Sequence, residues 1–269
     1  MDTLPENLKP MVCDMEIVQL PVLQDNYVFL LHDHSTADTL VVDPAVSEPV
    51  LAFLAERGWK LTHILNTHFH GDHVGGNLAL KAATSCTIYG KSQEGEQIPG
   101  LDKALREGDR IGFGELEIEV LEISGHTQGH LGFWLPKMGV FFCGDTLFGM
   151  GCGRLLRGTA EQMWRSLKRI RQFPPETLIY CAHEYTLSNA RFALSVDPSN
   201  TSLKSRLEHV QRLRELELST VPFRLEEELE TNPFLRVESP SIQRALDLEG
   251  QPEVEVFRAL RGLKDCFNG

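Results

Sequence analysis

From Met15 to Val22 apolar and polar residues alternate, the two-residue period of a strand with one buried face. Tyr27 to His32 and Thr39 to Val42 are denser in apolar residues and read as two more strands around the polar turn 33–38. Asp43-Pro44 ends the third strand. Ser47 then stands where a helix cap is expected, ahead of a helix over Glu48 to Arg57 that Gly58 closes. The apolar run 61–66 predicts a buried strand. A Leu- and Ala-rich helix is expected from about Val74 to Ala83, with Gly75-Gly76 at its start allowing a close backbone approach. Cys86 to Tyr89 reads as a short strand and the polar segment 91–110 as loop.

Alternation returns from Glu115 to Ile123, and strands Leu131 to Pro136 and Val140 to Cys143 flank a turn at Lys137-Met138-Gly139. Thr159 caps a helix over Ala160 to Phe173 with Glu161 in its first turn, and Pro174-Pro175 stop it. Thr177 to Cys181 is the last clear strand. Beyond His183 the periods become helical, as in Leu203 to Leu218 and Val254 to Leu263, and little reads as strand. The expected organisation is a disordered N-terminal extension over 1–14, a strand-rich catalytic domain over 15–183 and a helical domain over 184–269.

Composition narrows the class. An apolar fraction of 42% is ordinary for a globular protein, and a net charge of −12 without a large basic cluster argues against a nucleic-acid partner. No run approaches the roughly 18 apolar residues of a membrane span, and residues 1–14 lack the charged start and apolar centre of a secretory signal. The six cysteines, at 13, 86, 143, 152, 181 and 266, form no Cys-x-x-Cys pair, so reduced thiols and a cytoplasmic location are expected. Cys143 reads as a core residue.

The chemistry concentrates in Asn66-Thr67-His68-Phe69-His70-Gly71-Asp72-His73. His68, His70 and His73 offer imidazole nitrogens and Asp72 a carboxylate, a donor set that suits zinc, iron or manganese. His68 and His70 alternate at strand spacing, while Asp72 and His73 follow a glycine. Two pairs of ligands on one tight loop exceed what one ion needs, so a two-metal site is expected. Three more polar residues sit just past strand ends: His126, Asp145 and His183. Together with the loop they complete the ligands of two ions, and an Asp can bridge both. His130 competes with His126. His126 lies at the loop apex, whereas His130 opens the next strand and is better placed to support a ligand. Asp43, ending its strand, is a second candidate for such support. His32, His34, His63 and His209 read as ordinary surface or structural residues.

In this order, His68-x-His70-x-Asp72-His73, Gly125-His126, Asp145 and Ala182-His183 resemble the signature of the metallo-β-lactamase superfamily. Asp25-Asn26-Tyr27, Gly144-Asp-Thr-Leu-Phe148, Gly151-Cys-Gly-Arg154, His183-Glu-Tyr-Thr186 and Asn232-Pro-Phe234 narrow the resemblance to the glyoxalase II, or hydroxyacylglutathione hydrolase, family, from about residue 15 to the C-terminus. The resemblance implies an α+β fold, a four-layer αββα sandwich of metallo-β-lactamase type with a C-terminal α-helical domain. It puts His68, His70 and His126 on one metal, Asp72, His73 and His183 on the second, and Asp145 between them. It assigns glutathione contacts to Arg154, Tyr185, Arg261 and Lys264. Leu156 departs from the family pattern, standing where some members carry a substrate-contacting Tyr.

What the resemblance implies functionally is a thioesterase with two divalent metal ions, zinc first and iron or manganese as alternatives. It would hydrolyse S-D-lactoylglutathione and related 2-hydroxyacyl thioesters, the second step of methylglyoxal detoxification. Asp72 and Asp145 are the catalytic carboxylates, and a water acidified by the ions is the nucleophile. Glutathione carries two carboxylates, so an acidic protein needs local Arg or Lys to hold it, which Arg154, Arg261 and Lys264 supply. The partner is the glutathione thioester, with no nucleic acid and no membrane, and the chain is expected to be a monomer. The rival readings are a persulfide dioxygenase-like enzyme, another hydrolase on the same fold, or a binding protein that has lost activity. No Gly-x-Ser-x-Gly elbow is present to suggest a serine hydrolase.

Overall fold

The computed structural model describes residues 14–91 and 98–267. Most of the 1–14 extension therefore lies outside the described residues, as do residues 92–97, near the start of the segment read as loop over 91–110. Contacts within the chain divide it into two units, one of Met1–Glu122 with Gly129–Gly144 and one of Ile123–Gln128 with Asp145–Gly269.

The first unit contains two sheets. Strands β1 (Met15–Val22), β2 (Asn26–Asp33) and β3 (Asp38–Val42) run antiparallel. Helix α1 (Glu48–Arg57) returns the chain to β4 (Lys60–Leu65), which lies parallel to β3. Gly58 ends α1 in the left-handed conformation, as its position in the sequence predicts, but the Ser47 side chain makes no capping hydrogen bond. The His- and Asp-bearing stretch 66–73 ends in α2 (Gly71–Val74), and α3 (Asn77–Thr84) follows, then β5 (Thr87–Gly90) and β6 (Lys103–Ala104), both parallel to their neighbours. The second sheet of this unit is the antiparallel run β7 (Arg110–Phe113), β8 (Leu116–Glu122), β9 (Leu131–Leu135) and β10 (Val140–Gly144).

The first sheet is covered on both faces, which explains why β2 reads as almost continuously apolar. On one face Val28, Leu30, Val41, Leu61 and Ile64 pack with Val50, Phe53 and Leu54 of α1 and Leu80 of α3. On the other, Phe29 meets Phe142 of the second sheet with ring centroids 5.6 Å apart, and His63 meets Phe113 at 5.6 Å. Each large apolar side chain so buried contributes about 1.5–3 kcal/mol.

Several expectations are corrected. The helix expected over 74–83 is two pieces, because Gly75 and Gly76 break it. A side chain at Gly75 would lie 2.4 Å from the Ala45 carbonyl oxygen, and one at Gly76 2.9 Å from that of Pro44. The Gly76 N–H instead donates to Pro44 O at 2.8 Å, a bond that a continuous helix would have turned inward. The loop expected over 91–110 contains the short β6. It also runs into β7, whose alternation of exposed Arg110 and Gly112 with buried Ile111 and Phe113 spans only four residues and so carries little strand signal.

The second unit carries the hairpin β11 (Leu147–Phe148) and β12 (Gly151–Cys152), helix α4 (Ala160–Ile170), β13 (Leu178–Cys181), α5 (Thr186–Val196) and α6 (Thr201–Glu215). Then come β14 (Phe223–Arg224), antiparallel to β13, followed by α7 (Leu225–Thr231), α8 (Pro240–Ala245) and α9 (Glu253–Asp265). The change of sequence character near 184 falls inside this unit. Thr159 caps α4 with a full capping box to Gln162. Met150, Ala190, Ala193, Leu203 and Val210 form a core beneath α5 and α6. Glu228 of α7 is fully buried. It pairs with Arg206 at 2.5 Å and accepts from Asn232 and from the Met150 N–H. Among the described residues Cys86, Cys143, Cys152 and Cys181 are buried, Cys266 is exposed, and none of them is in a disulfide. Among the described residues no helix is long and apolar enough to cross a membrane.

Candidate metal centre

In the first unit β4 ends at Leu65, the chain bends at Thr67 and His68, and α2 follows the extended His70 to present Asp72 and His73. His68 Nε2 and His70 Nδ1 are 2.9 Å apart, and His73 Nε2 lies 3.6 Å from Asp72 Oδ2. The opposite edge of the His73 ring is held directly, and that of His68 through Thr67, by Asp43, which sits buried just past β3 in the left-handed region, φ 49°. Asp43 Oδ1 accepts from the Thr67 N–H at 2.7 Å. Its Oδ2 accepts from the Thr67 hydroxyl at 2.6 Å and from His73 Nδ1–H at 3.0 Å.

The Thr67 hydroxyl, having donated to Asp43, accepts from His68 Nδ1–H at 3.0 Å. One carboxylate thereby fixes two imidazoles with the proton on Nδ1 and the lone pair on Nε2, the form a cation requires. Asp43, His68 and His73 offer ligand atoms within 4.8 Å of one another, but the Asp43 oxygens are already engaged, so its part is to orient. Asn26 donates from Nδ2 to both the backbone O and Oδ2 of Asp72, each at 3.2 Å. Asn66 Nδ2 donates to His73 O at 3.0 Å. His130 is fully buried and stacks on His68 at 4.7 Å.

In the second unit His126, Asp145 and His183 come together. Asp145 Oδ2 faces His126 Nε2 and Asp145 Oδ1 faces His183 Nε2, each at 3.4 Å. Two ligands bound to one ion at about 2.1 Å and the tetrahedral angle lie about 3.4 Å apart, so the spacing fits a cation between each pair. One carboxylate serving two imidazoles through separate oxygens is a bridging arrangement. His126 Nδ1–H donates to Arg154 O at 2.8 Å, which again leaves Nε2 as the donor atom for a cation. The ring of His183 stacks on Tyr185, with centroids 4.8 Å apart and planes 2° from parallel. Gly153 is required here: a Cβ at that position would lie 1.9 Å from Asp145 O and 3.3 Å from His126 Cβ.

The residues assigned to glutathione all lie in this second unit. Arg154 is exposed, Tyr185 half-buried, and Leu156 is 53% exposed. Arg261 is only 4% exposed. Its guanidinium donates to Cys152 O at 2.7 Å, pairs with Asp265 at 2.9 Å and lies 5.2 Å over the Phe234 ring. Lys264 donates to Ser188 O and Oγ at 3.3 and 3.1 Å. Burial, and then the neighbouring Arg261 charge, push its ammonium down to about 8. Sequence reasoning gives no role to Thr67, Asn26 or Ser188. Nothing but adjacency to His68 marks Thr67, since a hydroxyl is not itself a ligand in this donor set.

The class follows from comparison with known families. Residues 21–183 match the metallo-beta-lactamase superfamily, and the chain has that α+β fold, extended by a C-terminal helical region. The crystal structure of ETHE1 from Myxococcus xanthus superposes with a TM-score of 0.65 at 26% identity, covering 93% of this chain and 99% of that one. That of TTHA1623 in a di-iron-bound form gives 0.59 at 26% identity, covering 81% and 99%. Residues 184–267 match the hydroxyacylglutathione hydrolase C-terminus. A relative from Methylococcus capsulatus named hydroxyacylglutathione hydrolase is 55% identical over 255 residues, 95% of this chain and all of that one. The chain belongs to the hydroxyacylglutathione hydrolase family.

Proposed function

We propose that the chain hydrolyses S-(2-hydroxyacyl)glutathione, S-D-lactoylglutathione foremost, to glutathione and a free 2-hydroxy acid, as the second step in removing methylglyoxal. The seven side chains would act together: His68, His70 and His126 would hold one divalent cation, Asp72, His73 and His183 another, and Asp145 would serve as a ligand to both. Nitrogen and carboxylate donors suit zinc, and the same set accepts iron or manganese. When bound, the cations supply Lewis acidity, acidifying water and taking up negative charge that develops on the thioester carbonyl oxygen.

The chain's own groups prepare that chemistry. Asp43 and Thr67 keep the lone pairs of His68 and His73 at Nε2, and Arg154 O does the same for His126. Asn26 limits the swing of Asp72 by gripping both its backbone and its carboxylate. Lys264 and Arg154 meet the glutathione carboxylates, with Tyr185 beside them. Arg261 holds Cys152 and Asp265 in place at the same end of α9. A free thiol ionises near pH 8.5, roughly, so the departing thiolate leaves without a dedicated acid. We place the protein in the cytoplasm as a monomer.

The observation that carries this reading is the Asp145 carboxylate, one oxygen turned to each of two imidazoles. The experiment is thiol release from S-D-lactoylglutathione beside a thioester lacking glutathione, with elemental analysis of the same sample. Equal rates on the two, or a preparation without bound metal that works at full speed, would refute it.

A further inference from the structure

Among the described residues five large apolar side chains stand exposed, namely Leu23, Leu78, Leu156, Leu216 and Leu263. Leu23 alone of these also has left-handed backbone, at φ 53°. A leucine is disfavoured there, because its Cβ crowds the carbonyl that follows, and glycine or asparagine would relieve it. The residue recovers little by burial, since it is 60% exposed while Val22, Val28 and Leu30 of the same hairpin fill the core. A strained apolar residue on the solvent side is a functional signal when it lies beside chemistry.

It does lie there. Leu23 opens the three-residue tip between β1 and β2, where Val22 pairs with Asn26. Asn26, on the far side of that tip, is the residue that grips Asp72 through its backbone O and Oδ2. The Asp72 side chain is itself 41% exposed, so the hairpin tip is fastened to a ligand with an open face. Resting on the thioesterase reading above, the substrate has two halves of different chemistry. Glutathione is charged and matches Arg154 and Lys264, whereas the acyl substituent is the apolar half.

We propose that Leu23 is a specificity-determining residue that covers the acyl substituent of the thioester, holding it against the Asp72 side of the metal loop. The left-handed backbone turns an isobutyl group outward at a place where an ordinary turn residue would present nothing. The test compares S-mandeloylglutathione with S-glycoloylglutathione, two 2-hydroxyacyl thioesters that differ by a phenyl ring. Covering about half a leucine side chain is worth roughly tenfold in kcat/KM. In Leu23→Gly and Leu23→Ala the mandeloyl-to-glycoloyl ratio of kcat/KM should therefore fall about tenfold.

Thermal melting separates contact from packing. Leu23→Gly relieves the strained backbone and should raise the melting temperature by roughly 2 °C, whereas Leu23→Ala keeps the strain and should not. A ratio within twofold of wild type in both variants overturns the proposal. So does a lowered melting temperature in Leu23→Gly, which would make Leu23 a packing residue of the hairpin. Wild-type protein that cleaves neither thioester would instead refute the thioesterase reading, and the role of Leu23 with it.

Discussion

Replacing Asp43 by Asn tests the orienting network with little collateral change. Asn is nearly isosteric and tolerates left-handed backbone, so φ 49° can be kept. The carboxylate accepts from three donors: the Thr67 N–H, the Thr67 hydroxyl and His73 Nδ1–H. An amide has one oxygen for the two positions. If its NH2 takes the place of Oδ1, it faces the Thr67 N–H, and a buried donor loses its partner at about 1–3 kcal/mol. If it takes the place of Oδ2, His73 can satisfy it only by moving its proton from Nδ1 to Nε2, where the lone pair for a cation is needed. The metal-free protein should thus lose about 1–3 kcal/mol of stability, read by urea melts with chelator present. Metal affinity should fall 10–100-fold, about 1.4–2.8 kcal/mol, read by competition with a chelator of known affinity. Thr67→Val keeps the backbone bond to Asp43 but cuts the link to His68, so it should weaken metal binding while leaving the His73 bond to Asp43 in place. Asp43→Asn protein with wild-type affinity to within twofold and an unchanged melt would refute the claim that this carboxylate sets the tautomers.

Three further expectations concern other parts of the molecule. Asp145→Ala should lower kcat by about 10²–10³-fold or more with the far-UV circular dichroism unchanged, since it removes the group facing both imidazoles. With Lys264 pushed down to about 8, its charge is present below that pH and lost above it. KM for a glutathione thioester should therefore climb as pH rises through 8, and Lys264→Arg, which stays charged, should show a flat KM from pH 7 to 9. Burial would raise the Asp197 carboxyl, but bonds from Arg236, Ser241 and Asn200 outweigh it and hold the pKa below the usual range. Its stabilising contribution is complete above the unfolded value of about 3.9 and is lost as pH falls through the lower folded one. Urea melts between pH 2.5 and 5 should show this loss, and Arg236→Met should weaken it.

The metal loop was legible because its donors are chemically rare and closely spaced, and His126, Asp145 and His183 because each follows an apolar strand. The limits β1 (Met15–Val22) and α1 (Glu48–Arg57) were legible too, one from alternation and one from Gly58. What the pattern could not convey was contact between distant segments. The break between α2 and α3 is set by the carbonyls of Pro44 and Ala45, far back in the chain, and no local propensity records them. Strand β14 has two residues and exists only through its pairing with β13. Arg261 illustrates a different limit. The resemblance assigns it to glutathione, but nothing in its spacing along the helix records that it is buried against Cys152 O, Asp265 and Phe234.

Buried bonds run from the last third of the chain back to the hairpin that follows Asp145. Asn232 donates to Phe148 O and Gly151 O, the Met150 N–H is received by Glu228, and Arg261 grips Cys152 O. The terminal helices are thus scaffolding for the turn that follows Asp145, the carboxylate facing His126 and His183. Anyone splicing this tail onto a cousin, or trimming it to make a smaller catalyst, inherits an obligation: the graft must bring an asparagine, a glutamate and an arginine to those same carbonyls and that same amide.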